Sequence, residues 1–420
     1  MKFRSLLLFV FPFVFAWASP AQETEIQVGA LLPLSGSLSF RGESTLAGVE
    51  AARLDLNAYL ADIGSPLRIR IVAEDNQTDP DVALQKLQSF VARGIQIVIG
   101  PRNSTLITAI KEYANQNGVM ILSPASTASS LAIADDNVFR FVLDGAQQAN
   151  ACAALMKQDG MRVLIPLQRG DVFGDDLTAA TLHAFEAAGG TTSTGVRYAI
   201  DATDYVPVLD QLRSQVEQAV LDVGIDSVAV YASGFDELAT IFELVMQSNS
   251  LLSGVKWYGT DASSQSGAIL DNPIAAQFAA NNIFPSPVAA LRGLVRFGEV
   301  KDRIAHYLGS PPDDTSVIAY DILWITALSY FTTGDNPAIT NLKKAIEQTA
   351  SMFYGGSGWT KLNARGDREF GDYDFWAIRS MDGELKWVRV AQFITDAAGG
   401  RIEYGENYFP KTPIAKWPRY

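Results

Sequence analysis

The chain reads as an α/β protein built of two doubly wound parallel-sheet lobes, and three observations predict this. Its 420 residues exceed what one hydrophobic core organises. From Glu25 onward, short apolar runs alternate with longer helical periods. The same rhythm restarts after Asp144, which marks a second lobe of the same kind.

The first cycle opens with a strand at Ile26–Leu32. A helix at Thr45–Leu60 follows, with Leu46, Val49, Leu56, Tyr59 and Leu60 on one side. A strand at Leu67–Ala73, a helix at Asp81–Ala92, a strand at Ile95–Ile99, a helix at Ser104–Gln116 and a strand at Val119–Leu122 complete it. The second cycle places strands at Val163–Ile165, Thr194–Tyr198, Val228–Tyr231 and Val255–Tyr258. Helices at Asp175–Ala188, Tyr205–Val220 and Glu237–Gln247 lie between them. Pro285 and Pro287 suit a crossing between lobes, and helices at Val295–Tyr307 and Ile318–Phe331 come next. Phe375–Ile378 and Leu385–Val390 flank Asp382-Gly383, a step that favours a tight hairpin. Residues 396–420 have no clear period and read as an extension.

Composition narrows the function classes. Lys2 and Arg4 precede an apolar run from Leu6 to Trp17 and small residues at Ala16, Ala18, Ser19 and Ala21, the pattern of a signal peptide over residues 1–21. Its removal takes the formal charge from −13 to −15, which disfavours nucleic acid and anionic lipid. No later run reaches the roughly 20 apolar residues of a membrane span, so no stable membrane insertion is expected. Cys152 has no partner for a disulfide and lies far from the leader, where a lipid-anchored cysteine would sit. One cysteine and two distant histidines, His183 and His306, do not make a transition-metal site, and no cofactor is expected. Gly-x-Ser-x-Gly is absent and no Ser/His/Asp set is apparent, so the chain does not read as an enzyme.

The chemistry gathers at strand ends. Gly100-Pro101-Arg102-Asn103-Ser104-Thr105 joins a buried strand to a helix, where Ser104 can cap the helix and free amides can hold an anion. Ser123-Pro124-Ala125-Ser126-Thr127 ends the next strand at the same sheet edge, so Ser104 and Thr127 can converge on one carboxylate. In the second lobe Asp261, in Gly259-Thr260-Asp261, is either an acceptor for an ammonium group or a helix cap. Arg41 and Arg102 are either cations of the site or members of surface pairs worth little. Phe173 and Phe235 are either apolar walls around a ligand or core residues. Asp135-Asp136 and Asp313-Asp314 read as solvated loop charges.

Taken together these strings resemble the type I periplasmic binding proteins, specifically the branched-chain amino acid binding family that feeds ABC transporters. The resemblance runs roughly from Ile26 to Phe393. It rests on Gly29 to Gly36, Gly100-Pro101 with Ser104, Ser123 to Thr127, Asp204-Tyr205, Gly259 to Asp261, Ala319-Tyr320-Asp321, Gly355 to Gly358, Gly366-Asp367 and Tyr373 to Trp376. It implies two lobes joined by three crossings: residues 24–144 plus 284–352, and residues 145–283 plus 353–395. It also implies a ligand carboxylate held by Ser104, Thr127 and the backbone at Ala125, with Asp261 on the amino group. The family commonly places a tyrosine where Phe173 stands, and an aromatic wall near the position Arg41 occupies. These departures leave room for a ligand with an extra acidic or polar group. The implied function is a periplasmic, non-lipidated, monomeric binder of a small zwitterion, an apolar or branched-chain amino acid, serving an ABC permease. The alternatives are an amide, a urea-like compound or a short carboxylate as ligand, or a sensing role for a separate signalling protein.

Overall fold

A computed structural model describes residues 23–36, 38–248, 250–291, 295–334, 337–396, 399–406 and 408. The expected signal peptide and the end of the extension lie outside these residues.

The first lobe follows the chain as β1 (Thr24–Leu32), α1 (Ser39–Asp62), β2 (Leu67–Asp75), α2 (Pro80–Ala92), β3 (Ile97–Ile99), α3 (Ser104–Gln116), β4 (Met120–Ser123) and β5 (Val138–Arg140). Its strands form one parallel sheet in the order β2-β1-β3-β4-β5. In register, Leu32 faces Asp75, Ala30 faces Ile99 and Ile121 faces Val138. A parallel sheet covered on both faces needs continuous apolar strands. Leu31, Leu32, Val98, Ile99, Ile121 and Leu122 are accordingly without solvent exposure.

The second lobe contains α4 (Gly145–Gln158), β6 (Val163–Arg169), α5 (Val172–Ala187), β7 (Thr191–Thr192), β8 (Val196–Tyr198), α6 (Val206–Val223), β9 (Val228–Ser233), α7 (Leu238–Gln247), β10 (Lys256–Tyr258), α8 (Gly267–Asp271), α9 (Pro273–Asn282) and β11 (Ser286–Ala289). Its parallel sheet runs β10-β9-β6-β7, with β8 also on β6. Phe242 holds one side of the core together, with ring centroids 5.7, 4.6 and 4.9 Å from Trp257, Phe278 and Phe284.

The chain then returns as α10 (Val295–Leu308), α11 (Thr315–Thr333) and α12 (Ile339–Met352), which pack with α1 on the first sheet. The other face of that sheet is closed by α2 and α3. A Cβ on Gly48 of α1 would lie 2.2 Å from the Ser316 carbonyl oxygen, so glycine permits the contact with α11. The short pair β12 (Tyr354–Gly355) and β13 (Gly358–Trp359) precedes β14 (Tyr373–Met381), β15 (Glu384–Ile394) and β16 (Arg401–Tyr404). The last three join β11 in an antiparallel sheet ordered β11-β14-β15-β16. Asp382 and Gly383 turn the hairpin with φ of 54° and 85°, as their sequence signal indicates.

Several expectations shift. Residues 286–289 pair with β14 in the antiparallel sheet that packs on the second lobe, so they belong with that lobe, and the crossing follows Pro285 and Pro287 instead of containing them. Residues 354–368 sit on the first lobe: Asp321 accepts from the Gly356 and Ser357 amides at 2.9 and 2.7 Å, and Arg368 N–H donates to the Arg140 carbonyl at 2.8 Å. Part of the extension is the edge strand β16. Beyond it, Asp159 accepts from Tyr258 Oη at 2.5 Å, from Tyr404 Oη at 2.7 Å and from Tyr408 Oη. Lys256 beside them is pulled down to about 8 by burial, against the attraction of Asp159. Helices α4, α8, α9 and α12 have no counterpart in the sequence reading. In α4 small residues such as Ala149, Ala151 and Ala153 are buried and carry little amphipathic signal. Asp313 and Asp314 are not solvated loop charges. Asp313 accepts from Arg102 Nη2 at 3.0 Å and Asp314 pairs with Lys301, because this loop folds back onto α1 and α10.

Arg140 and Asp367 form an ion pair at 2.6 Å with both side chains 1% exposed. Removing one partner of such a pair leaves an uncompensated buried charge. Asp367→Ala should therefore cost about 3–5 kcal/mol of unfolding free energy in urea. A loss below about 1 kcal/mol, the scale of a surface pair, would contradict this role.

Candidate functional site

In both parallel sheets the carboxyl ends of the strands face one cleft, the position where open α/β sheets collect ligands. In the first lobe β3 leads into Gly100, whose φ is 90° and whose Cβ would lie 2.5 Å from the Leu31 carbonyl oxygen. Only glycine makes that turn without strain. Asn103, not Ser104, caps α3, accepting from Thr105 N–H at 2.8 Å. Ser104 is the first helical residue, and its Oγ lies 2.8 Å from Ser126 Oγ. Ser123 binds the two turns together, donating to the Pro101 carbonyl at 2.8 Å and accepting from the Ser126 amide at 3.1 Å. Arg140 Nη1 holds the far side of the second turn through the Ala128 carbonyl at 2.5 Å. On this braced turn the Thr127 hydroxyl is buried and has no hydrogen-bond partner among the described residues.

From the second lobe β10 delivers Gly259-Thr260-Asp261. The cap reading of Asp261 does not hold: α8 is capped by Ser266, which accepts from Ile269 N–H at 3.3 Å. Instead the Asp261 amide donates to Gln148 Oε1 at 3.2 Å, and Asp261 Oδ1 is sealed from solvent with no partner among the described residues. Burial raises this carboxyl above its ordinary range, with Gln148 and Arg41 opposing the shift. Its Oδ1 has lost water without gaining a hydrogen bond among the described residues, a cost that a bound cation would offset. Phe173 and Phe235 form a wall with ring centroids 5.2 Å apart. Arg169 lies 5.1 Å over Phe235, held by Asp171 at 2.9 Å and Glu237 at 3.1 Å.

Between the lobes lies a cavity of about 880 Å³, and Arg41, Arg102, Ser104, Ala125, Thr127, Phe173, Phe235 and Asp261 all line it. Arg102 is largely committed elsewhere: its guanidinium donates to Thr45, to Thr315 at 2.6 Å and to Asp313 at 3.0 Å. It braces the turn against α1 and α11 and is not a free cation. Arg41 reaches across the cleft from α1, donating through Nη2 to the Ala262 carbonyl at 2.8 Å. Sequence reasoning missed Gln148, Asn76 and Tyr373, which also line the cavity. Gln148 lies on the helix whose small residues hid it, no local signal marked Asn76, and Tyr373 stood in the run Tyr373 to Trp376 without a site role. Among the described residues no group of histidine, cysteine, aspartate and glutamate could hold a metal ion. None of the described helices is long and apolar enough to cross a membrane.

Two α/β lobes with a polar cleft between their strand ends define a two-lobed binding clamp. The periplasmic binding protein family model matches residues 25–234, half of the chain, and the chain belongs to that family. It is 28% identical over 406 residues to the uncharacterized protein MJ1266 of Methanocaldococcus jannaschii, a match covering 92% of this chain and 93% of that one. Among solved structures, the leucine-binding protein LivK of Thermotoga maritima is similar with a TM-score of 0.72 at 16% identity, covering 86% of this chain and 97% of that one. A solute-binding protein of an R. palustris ABC transporter in complex with 4-hydroxybenzoate is similar with a TM-score of 0.72 at 17% identity, covering 88% of this chain and 97% of that one. These two structures share the fold.

The raised Asp261 carboxyl has a consequence for stability. A folded-state value above the unfolded one means that the native state holds more protons, so this group lowers stability as pH rises through the interval between the two. Asp261→Asn should therefore raise the melting temperature of the ligand-free protein at neutral pH, with the gain shrinking as pH falls through that interval. Thermal unfolding across the acidic range checks this, and a variant less stable than the parent at pH 7 would contradict it.

Proposed function

We propose that this protein is an exported solute-binding protein that closes around a small zwitterionic amino acid and delivers it to an ABC permease. One observation carries the reading. Thr127 Oγ1 from one lobe and Asp261 Oδ1 from the other are both buried, both without partners among the described residues, and both line the same cavity. A carboxylate meets the first-lobe turns, where the Thr127 hydroxyl can donate. An ammonium meets Asp261, whose carboxylate offers acceptors only. Neither lobe supplies both ends, so the ligand adds contacts across the cleft and favours the closed form by its differential affinity. Micromolar affinity corresponds to about −8 kcal/mol, enough to reverse an open-closed equilibrium when both lobes contribute.

The walls at Leu38, Leu106, Leu143, Phe173, Phe235 and Ile318 can receive the apolar carbons of a side chain, as a branched-chain amino acid offers. The family and the expected leader support a periplasmic location. A second reading, a carboxylate without an amine, takes support from the 4-hydroxybenzoate complex of the R. palustris protein, and Asp261 separates the two.

The test is a thermal-shift screen of the protein, unfolded and refolded to remove carried-over ligand, against amino acids, amides, urea and short carboxylates. An amino acid should raise the melting temperature by several degrees. Asp261→Ala should abolish that shift, and Thr127→Val should weaken binding about tenfold, as expected when a hydrogen bond to a charged group is lost. Stabilisation by non-amino carboxylates alone, untouched by Asp261→Ala, would replace the amino acid reading with the second one.

A further inference from the structure

Among the described residues three arginine and lysine side chains line the cavity, Arg41, Arg102 and Lys301, and they are not equivalent. Arg102 is paired with Asp313 and Lys301 with Asp314. Arg41 is half-buried and forms no ion pair with any described residue, spending one donor on the Ala262 carbonyl at 2.8 Å. A guanidinium carries five N–H donors in a fixed fork and accepts nothing. Arg41 lines the cavity, and among the described residues no other hydrogen bond takes up its remaining donors. The carbonyl that Arg41 reaches belongs to the residue after Asp261, so this donor group stands next to the ammonium site. A purely apolar side chain would satisfy the apolar walls but would strip water from Arg41 without replacing it, an uncompensated cost. A short side chain ending in an acceptor restores those hydrogen bonds, and a carboxylate does so bidentately with opposite charge.

We propose that Arg41 is the specificity-determining residue of the cleft and selects α-amino acids whose side chain ends in a hydrogen-bond acceptor, a carboxylate before a carboxamide. This rests on the reading of Asp261 as the ammonium site and puts a side chain ending in an acceptor in place of the branched-chain one offered above. The ligand then meets three points: the first-lobe turns with its α-carboxylate, Asp261 with its ammonium, and Arg41 with its side-chain end. Arg41 serves closure at the same time, because its bond to Ala262 already joins the lobes. A cationic side chain is rejected by like charge.

The experiment is isothermal titration of the refolded full chain with L-aspartate, L-glutamate, L-glutamine, L-leucine and L-lysine. The parent is compared with Arg41→Met, Arg41→Lys and Asp261→Asn, each first shown to unfold cooperatively. The parent should bind an acidic amino acid at least tenfold tighter than leucine and should not bind lysine. Arg41→Met should lose at least tenfold for the acidic ligand while leucine affinity stays within threefold or improves. Arg41→Lys should recover part of the acidic affinity through its charge. Should Arg41→Met not fold, the Arg41→Lys ranking of aspartate, glutamate and glutamine against leucine decides, because a point charge keeps attraction but loses the fork. Leucine binding the parent as tightly as the acidic ligands would overturn the proposal, as would an equal loss for all ligands in Arg41→Met, which would make Arg41 a latch only. Asp261→Asn separates the two levels. Intact amino acid binding in that variant would sink the ammonium site itself, whereas its loss together with a leucine preference would sink only the role of Arg41.

Discussion

The buried pair of Arg140 and Asp367 is the interaction on which the first half of the site depends. Arg140 ends the edge strand β5, and its Nε meets Asp367 Oδ1 while Nη1 holds the Ala128 carbonyl. Its own backbone carbonyl receives the Arg368 amide. One side chain thereby ties the returning chain near residue 367 to the turn that presents Ala125 and Thr127. The charge of Arg140 tolerates burial only because a carboxylate and carbonyls surround it. The network fixes the shape of the binding turn while leaving the Thr127 hydroxyl free for something else.

Strand polarity does the remaining placement. Parallel strands deliver all their carboxyl ends to one sheet edge, and β3, β4 and β10 carry the polar turns of the site there. The first lobe contributes hydroxyls and amides, which suit an anion. The second contributes a carboxylate, which suits a cation. On the proposed reading this division of charge between the lobes would let a zwitterion bridge them, one end on each lobe.

The second lobe is finished by its last residues. β16 pairs with β15, and Tyr404 and Tyr408 join Tyr258 on the Asp159 carboxylate. Lys256 beneath them donates to the Asn282 and Ile283 carbonyls at 2.7 and 2.8 Å. A charged lysine in that position keeps its proton against burial through hydrogen bonds and the nearby carboxylate. The segment that lacked periodicity in sequence is thus held by side-chain hydrogen bonds to one acid, an arrangement with no repeating signature.

By itself, the sequence determined the two α/β lobes, because period-2 and period-3.6 apolar patterns are local properties of a chain. It also determined the turns at residues 100–105, 123–127 and 259–261, because glycine, proline and hydroxyl residues after a buried strand have few other uses. Helix α4 escaped it, since buried alanines give no amphipathic stripe, and Gln148 went with it. Only the tertiary structure decided between alternatives that local chemistry leaves equal. Arg102 and Arg41 look alike in sequence, yet the fold brings Asp313, Thr45 and Thr315 around the first, while the guanidinium of the second hydrogen-bonds, among the described residues, to the Ala262 carbonyl alone. Asp261 could have capped a helix, and the fold instead buried one of its oxygens in a cleft between lobes, without a partner among the described residues. Whether a charge is paired depends on residues about 200 positions away, and that distance is closed only when the chain has packed.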